Sequence, residues 1–307
     1  MTAPQPRGSG SVLIGGSGSV TPVISINGSP VDPSIPHLSA LDRGFTLADG
    51  LFETMRVYGG VIFRLDEHLA RLERGASALR LFIPPQLRAM VLNTLRAAVD
   101  QGLRDASVRL TVSRGPGAPG VAPPPNAHPT VVIAVHPLPP FPASLYGDGL
   151  SASTATGRRN EHAVTAGLKT LSYTDAMVAL AEARASGNDD AVFLDTAGHI
   201  SEATSSNIFI VLDRALLTPP ASCGVLPGIT REAVLELAAE RRVATDERPI
   251  QPEELHEATE AFLTSSVREI VPLVRLDGRL IGDGVPGELT RELMAAYSQR
   301  VWAECAG

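Results

Sequence analysis

The chain has 307 residues, 26 basic and 33 acidic side chains, and a formal net charge of -7. Its length allows one large or two moderate domains, and 44% hydrophobic with 19% charged residues excludes a disordered chain. The acidic balance leaves no electrostatic footprint for nucleic acid, and no run of about 18 apolar residues provides a membrane span. The N-terminus lacks the charged and apolar regions of a signal peptide. Two cysteines, Cys223 and Cys305, make neither a disulfide framework nor a zinc cluster. A cytoplasmic protein with no metal is the expectation. One count stands out: 25 of the basic residues are arginine, and Lys169 is the single lysine. Either chance left one lysine, or position 169 needs an amine that can lose its proton, which guanidinium cannot do.

In chain order, residues 1–20 are rich in Gly, Ser and Pro and read as a mobile tail. PVISING is a strand ending in a Gly-Ser-Pro turn. Leu51 to Val57 alternates and meets Tyr58-Gly59-Gly60, so Val61 to Arg64 reads as the returning strand of a hairpin. Leu65, Leu69, Leu72 and Leu79 fall at helical spacing, and a second helix carries Leu87, Val91 and Leu95. Strands follow around Val108–Val112 and Thr130–Val135, so the first half reads as α+β with antiparallel pairing. The prolines between 137 and 142 suit a stiff connector. They divide the chain into a small N-terminal domain (21–137), a linker (138–147) and a larger domain (148–307). Beyond them the pattern predicts a strand at 150–155 and a helix at 174–185. Two strands flank Thr196-Ala-Gly-His199, and another covers 207–211. A helix starts near Thr230, a strand lies near 261–263, Asp277-Gly278 marks a hairpin, and 288–305 is a closing amphipathic helix.

Several residues could carry chemistry. Lys169 lies in AGLKTLSYTDAM, just before the expected helix. A partly desolvated lysine has a depressed pKa and can form an imine with a carbonyl. Tyr173 is either a half-buried aromatic or a donor to an oxygen beside that imine. Glu202, in GHISEATSSNIF, reads as a surface carboxylate or as a buried one that keeps a heterocyclic nitrogen protonated. LPGITREAVLELAAE opens a helix at Ile229 or Thr230, and such an N-terminus is a ready anion site. Thr264-Ser265-Ser266 adds hydroxyls and N–H groups after a strand, and Arg71 in RLDEHLARL can pair a phosphate or snorkel.

Six blocks in order resemble the fold-type IV pyridoxal-phosphate enzymes, which include branched-chain aminotransferases, D-amino-acid aminotransferases and aminodeoxychorismate lyases. They are DRGFTLADGLFETMR (42–56), FRLDEHLARL (63–72), GLKTLSY (167–173), GHISEATSSNIF (198–209), LLTPPASCGVLPGITREAV (216–234) and TSSVREIVPLVRLDG (264–278). The resemblance implies a two-domain α+β fold: a smaller sandwich-like N-terminal α/β domain and a larger C-terminal domain with a barrel-like sheet. It implies pyridoxal 5'-phosphate as cofactor, a homodimer, and Lys169 as the Schiff-base lysine that shuttles the proton. It casts Arg71, Ile229, Thr230, Ser265 and Ser266 as phosphate contacts, Glu202 as facing the pyridine nitrogen, Tyr173 as approaching the phenolic oxygen, and Asn207 as helping from the same segment.

Phe52, Thr54 and Arg56 alternate on one strand and share a face, which the family directs into the substrate pocket. Arg56 is there a candidate carboxylate anchor. The family implies transfer of an amino group between an amino acid or primary amine and a keto acid. Aminodeoxychorismate lyase chemistry and a cofactor-holding protein without turnover are the competing readings. The sequence departs from each subgroup. SRGPGAPGVAPP (113–124) carries small residues and prolines where D-amino-acid enzymes place an arginine and a histidine. Ala118-Pro119 replaces an arginine of some lyases, and Lys169 stands one residue closer to Tyr173 than in typical branched-chain enzymes.

Overall fold

The computed structural model describes residues 21–306; the segment 1–20, read above as a tail, lies outside the described residues. The first six strands are β1 (Val23–Ile26), β2 (Ser29–Val31), β3 (Gly50–Tyr58), β4 (Val61–Ile62), β5 (Ala106–Ser113) and β6 (Thr130–Pro137). They form an antiparallel sheet in the order β2-β1-β6-β5-β3-β4. Helices α1 (Arg43–Leu47), α2 (Leu65–Leu79) and α3 (Leu87–Asp100) complete this half. Period-two alternation gives the sheet an apolar face: Met55, Val57, Val108, Leu110, Val112 and Ile133 are buried against Leu69, Leu72, Val91 and Leu95 of α2 and α3. The opposite face of β3 presents Phe52, Thr54, Arg56 and Tyr58.

Two local expectations are corrected. Ser29 and Pro30 belong to the return strand β2, and the turn is Asn27-Gly28, both at positive φ as a two-residue hairpin loop demands. Arg64 caps α2 in the left-handed conformation and is no part of the strand, which ends at Ile62.

The prolines stop the backbone from pairing, and α4 (Ala143–Gly147) then occupies the second half of the expected connector. The remaining helices are α5 (Thr174–Ala185), α6 (Ile229–Glu240), α7 (Pro252–Glu257) and α8 (Glu288–Cys305). The remaining strands are β7 (Leu150–Arg159), β8 (Asp190–Asp195), β9 (Ile200–Ala203), β10 (Asn207–Leu212), β11 (Ala215–Thr218), β12 (Thr245–Glu247), β13 (Glu260–Ser265), β14 (Glu269–Leu276) and β15 (Arg279–Leu280). The sheet runs β12-β11-β10-β13-β14-β7-β8-β9, with β15 on β14, and mixes parallel with antiparallel pairs. It curls into the expected barrel-like form, and the tight turn from β9 into β10 folds its end back. α6 and α8 cover one face through Val234, Leu237, Leu293 and Tyr297 against Phe209 and Phe262. β7 runs four residues beyond the expected Ala155, which carries Arg159 toward β9.

Candidate active site

The lysine segment is clamped to the edge of the first sheet. Phe52 N–H donates to the Lys169 carbonyl at 2.9 Å and Leu171 N–H to the Gly50 carbonyl at 3.1 Å. The short β4 leaves this part of the β3 edge free, and the segment takes it. Lys169 Nζ then lies 3.3 Å from the Tyr173 hydroxyl and 4.5 Å from the centre of the Phe52 ring. Burial, reinforced by the Arg71 charge, lowers the amine to about 8. A lysine in that state supplies free amine near neutrality, which is what imine formation and proton transfer at Nζ need. Burial, with the Glu202 charge, raises the Tyr173 hydroxyl to about 12, so it stays protonated and able to donate.

One end of the cavity is built from anion-binding parts. α6 starts at Ile229 with Gly228 as its cap and no capping side chain, so its first N–H groups lack intrahelical partners. A Cβ on Gly228 would collide with Asn207 Oδ1, so the backbone can approach there only as glycine. Asn207 donates to the Leu226 carbonyl at 2.8 Å and fixes the loop that enters the helix. The buried Thr264 Oγ1 has no partner among the described residues, and Ser265 and Ser266 follow it along the same wall. Arg71 completes this end and ties to the loop by donating to the Pro227 carbonyl at 2.9 Å.

At the other end, β9 presents Glu202. Its carboxylate accepts from Leu226 N–H at 3.0 Å and pairs with Arg159 at 3.3 Å. Burial still holds the carboxyl above the usual range despite those two donors. A further cation or N–H facing it would satisfy it, as a protonated ring nitrogen does.

These residues share one cavity of about 360 Å³: Phe52, Thr54, Arg71, Lys169, Tyr173, Glu202, Asn207, Ile229, Thr230, Ser265 and Ser266 all line it. Arg56 is separated from them. It donates to the Val267 carbonyl, lies 3.8 Å from Glu269 and stacks on Tyr58, in a neighbouring cleft. The strand's twist and length carry the third member of that face past the cavity rim.

Sequence reasoning missed two contributors. Arg109 on β5 stands opposite Thr54 in the register and stacks its guanidinium 3.4 Å from the Phe52 ring centre, inside the cavity. No carboxylate pairs with it among the described residues, and burial lowers its pKa. The alternation of β5, with Val108 and Leu110 inward, was the available signal. Glu53 is the other. It lies fully buried on the helix-facing side of β3, where it accepts Arg71 Nε at 2.8 Å, Arg71 Nη2 at 2.6 Å and His68 Nδ1 at 2.7 Å. A carboxylate in register with Leu51, Met55 and Val57 was legible as an anomaly.

Residues 50–276 match the model of the amino-transferase class IV family. A putative branched-chain-amino-acid aminotransferase of Methanocaldococcus jannaschii is 38% identical over 278 residues, covering 89% of this chain and 94% of that protein. Among solved structures, a T.th. branched-chain amino acid aminotransferase with pyridoxamine 5'-phosphate superposes with a TM-score of 0.85 at 27% identity, covering 92% of this chain and 94% of that one. The 4-amino-4-deoxychorismate lyase of Pseudomonas aeruginosa gives 0.80 at 32% identity over 90% of this chain and 98% of that one. The residues present fit a phosphorylated pyridine cofactor: an orphaned Thr264 hydroxyl and free helix amides at one end, an under-satisfied carboxyl at the other, and an amine between. The chain belongs to the class IV aminotransferases and is a fold-type IV enzyme that works with pyridoxal 5'-phosphate.

Proposed function

We propose that the enzyme moves an amino group between an amino acid, or a related primary amine, and a keto acid. The single observation that carries this reading is Lys169, the chain's sole lysine, held in the cavity with its amine lowered to about 8 and the Tyr173 hydroxyl 3.3 Å away. The bound cofactor supplies an electron sink for charge developing at the substrate's Cα. The chain's own groups do the rest. Arg71, the Ile229 and Thr230 amides, Ser265 and Ser266 hold the phosphate. Glu202 keeps the ring nitrogen protonated, and Tyr173 donates to the ring oxygen. Asn207 holds the loop between them. Lys169 Nζ would take up and return the proton at the substrate's Cα.

Phe52 and Thr54 form a wall for the substrate, and Arg109 replaces Arg56 as the carboxylate anchor, because its guanidinium lines the cavity without a carboxylate partner among the described residues. The stretch 35–47 exposes Ile35, Leu38, Leu41, Phe45 and Leu47, which supports a homodimer that covers them. The free cysteines Cys223 and Cys305 support a cytoplasmic location, and among the described residues no helix is long and apolar enough to cross a membrane. The division into 21–137 and 148–307, joined at 138–147, is the domain organisation we propose.

A half-reaction screen tests the reaction. L-amino acids, D-amino acids and simple amines are added singly while the cofactor spectrum is followed. Conversion to the amine form with release of the keto acid that matches the donor supports transfer and gives the handedness. Pyruvate released from aminodeoxychorismate without an acceptor would support the lyase reading, which the 32% identity to the Pseudomonas lyase favours as the second possibility. A spectrum that no donor changes, with no pyruvate from aminodeoxychorismate, would overturn both.

A further inference from the structure

We propose that Glu53 and His68 are positioning residues that fix Arg71 for the cofactor phosphate, so that binding at this end depends on donor geometry and not on net positive charge. The proposal rests on the reading of this end of the cavity as the phosphate site. An arginine has five N–H groups in a rigid fork. Glu53 takes the Nε–H and one Nη2–H, and the Pro227 carbonyl takes one Nη1–H. Two N–H groups remain, one on each terminal nitrogen, and the guanidinium that carries them lines the cavity. Its plane is set by two elements at once, β3 and the loop before α6.

The protonation states follow from what each group can accept. Burial pushes the Glu53 carboxyl up, but the Arg71 and His68 donors outweigh it and hold it at about 2, so it only accepts. His68 Nδ1 therefore carries a proton, and the 3.5 Å approach of Arg71 Nη2 to that atom is no hydrogen bond. Burial lowers the imidazole's pKa against the pull of Glu53, so His68 is neutral and adds a donor without adding charge. The three side chains are 0%, 1% and 7% exposed for Glu53, His68 and Arg71.

The arrangement costs the site electrostatically. A full negative charge sits directly behind the arginine that meets an anion, and Coulomb attraction alone would be stronger without it. The two accounts therefore give opposite signs for one substitution. If charge governs, Glu53→Gln leaves Arg71 uncompensated and tightens phosphate binding. If positioning governs, the amide cannot accept both N–H groups, the fork is released, and binding weakens.

The test titrates cofactor-stripped full-length protein with pyridoxal 5'-phosphate and, separately, with pyridoxal, which lacks the phosphate. Glu53→Gln is expected to weaken the phosphorylated form by about 10-fold or more, the loss of one charge-assisted contact, while pyridoxal changes by less than about 2-fold. Tighter or unchanged binding of the phosphorylated form, or equal loss for both, would overturn the proposal. Should Glu53→Gln fail to fold, Glu53→Asp decides: it keeps the charge but falls a methylene short, and wild-type affinity there overturns positioning. Arg71→Leu separates this from the underlying reading. If it leaves the ratio of the two affinities unchanged, the phosphate site itself is wrong, whatever Glu53 does.

Discussion

Of the three arginines that line the cavity, Arg268 pairs with Asp190 at 3.0 Å, and the other two stand in opposite circumstances. Arg71 is saturated on one edge by a buried carboxylate and tied to a loop carbonyl, so its geometry is fixed before any ligand arrives. Arg109 touches an aromatic face and a distant Thr111 hydroxyl at 3.5 Å, with its remaining donors uncommitted among the described residues. A fixed fork suits a group that stays bound through every turnover, since the ordering entropy is met once, in folding. An uncommitted cation suits ligands that come and go, because a partner already paired would have to be displaced by each substrate. The difference separates holding from exchanging.

Four substitutions and a pH series probe that contrast. Lys169→Arg is the largest: turnover should fall by at least about 10⁴-fold, because guanidinium neither forms the imine nor takes up the Cα proton. Single-turnover kinetics with excess donor measure it, and a wild-type rate would remove Lys169 from its role. Arg71→Leu should weaken the phosphorylated cofactor by about 100-fold, the worth of two charge-assisted hydrogen bonds. It should also destabilise the apoprotein, since Glu53 is then a buried charge with one donor. Arg109→Leu should leave cofactor affinity intact and raise KM for amino acids by about 30-fold. Simple amines without a carboxylate should respond little, and an equal rise for both would deny Arg109 the anchor role.

The pH dependence comes next. Lys169 titrates near 8 where an ordinary lysine titrates near 10.5. Only the neutral amine attacks a carbonyl, so cofactor capture by apoprotein should rise with pH through about 8 and level off above it. Between pH 7 and 9 that is roughly a tenfold gain in rate. A profile still rising steeply at pH 10 would mean that the amine is not desolvated. Arg56→Ala is the smallest: outside the cavity, it should change kcat/KM less than about 3-fold and lower stability by about 1 kcal/mol through the lost Val267 contact.

Much of the molecule was legible in the sequence, and the reasons differ by element. α5 and α8 match their expected spans because the three- and four-residue spacing of their buried side chains is local. β11 and β12 escaped, since ALLT and TDE are too short to show a period: β11 forms on the edge that β10 offers, and β12 on the edge of β11. The site divides the same way. Lys169, Glu202 and the α6 start lie in blocks whose order and spacing resemble a family. Arg109 lies in an ordinary alternating strand outside those blocks, and alternation gives its face but not what that face meets.

Alone, then, the sequence determined which chemistry is available: one lysine, and so one side-chain amine able to form an imine, and, 60 residues on, a helix start rich in free N–H groups. It also determined the fold's periodicities, because burial on one face of a strand or helix is written at intervals of two or 3.6 residues. Only the tertiary structure decided which charged groups meet. Glu53 joins His68 and Arg71 across 15 and 18 residues. Arg109 enters the cavity because β5 pairs with β3 in one register, and Arg56 leaves it because Val267 and Glu269 stand beside the strand's end. Such meetings depend on where the backbone returns, and long-range return is set by packing the whole core, which no local pattern encodes.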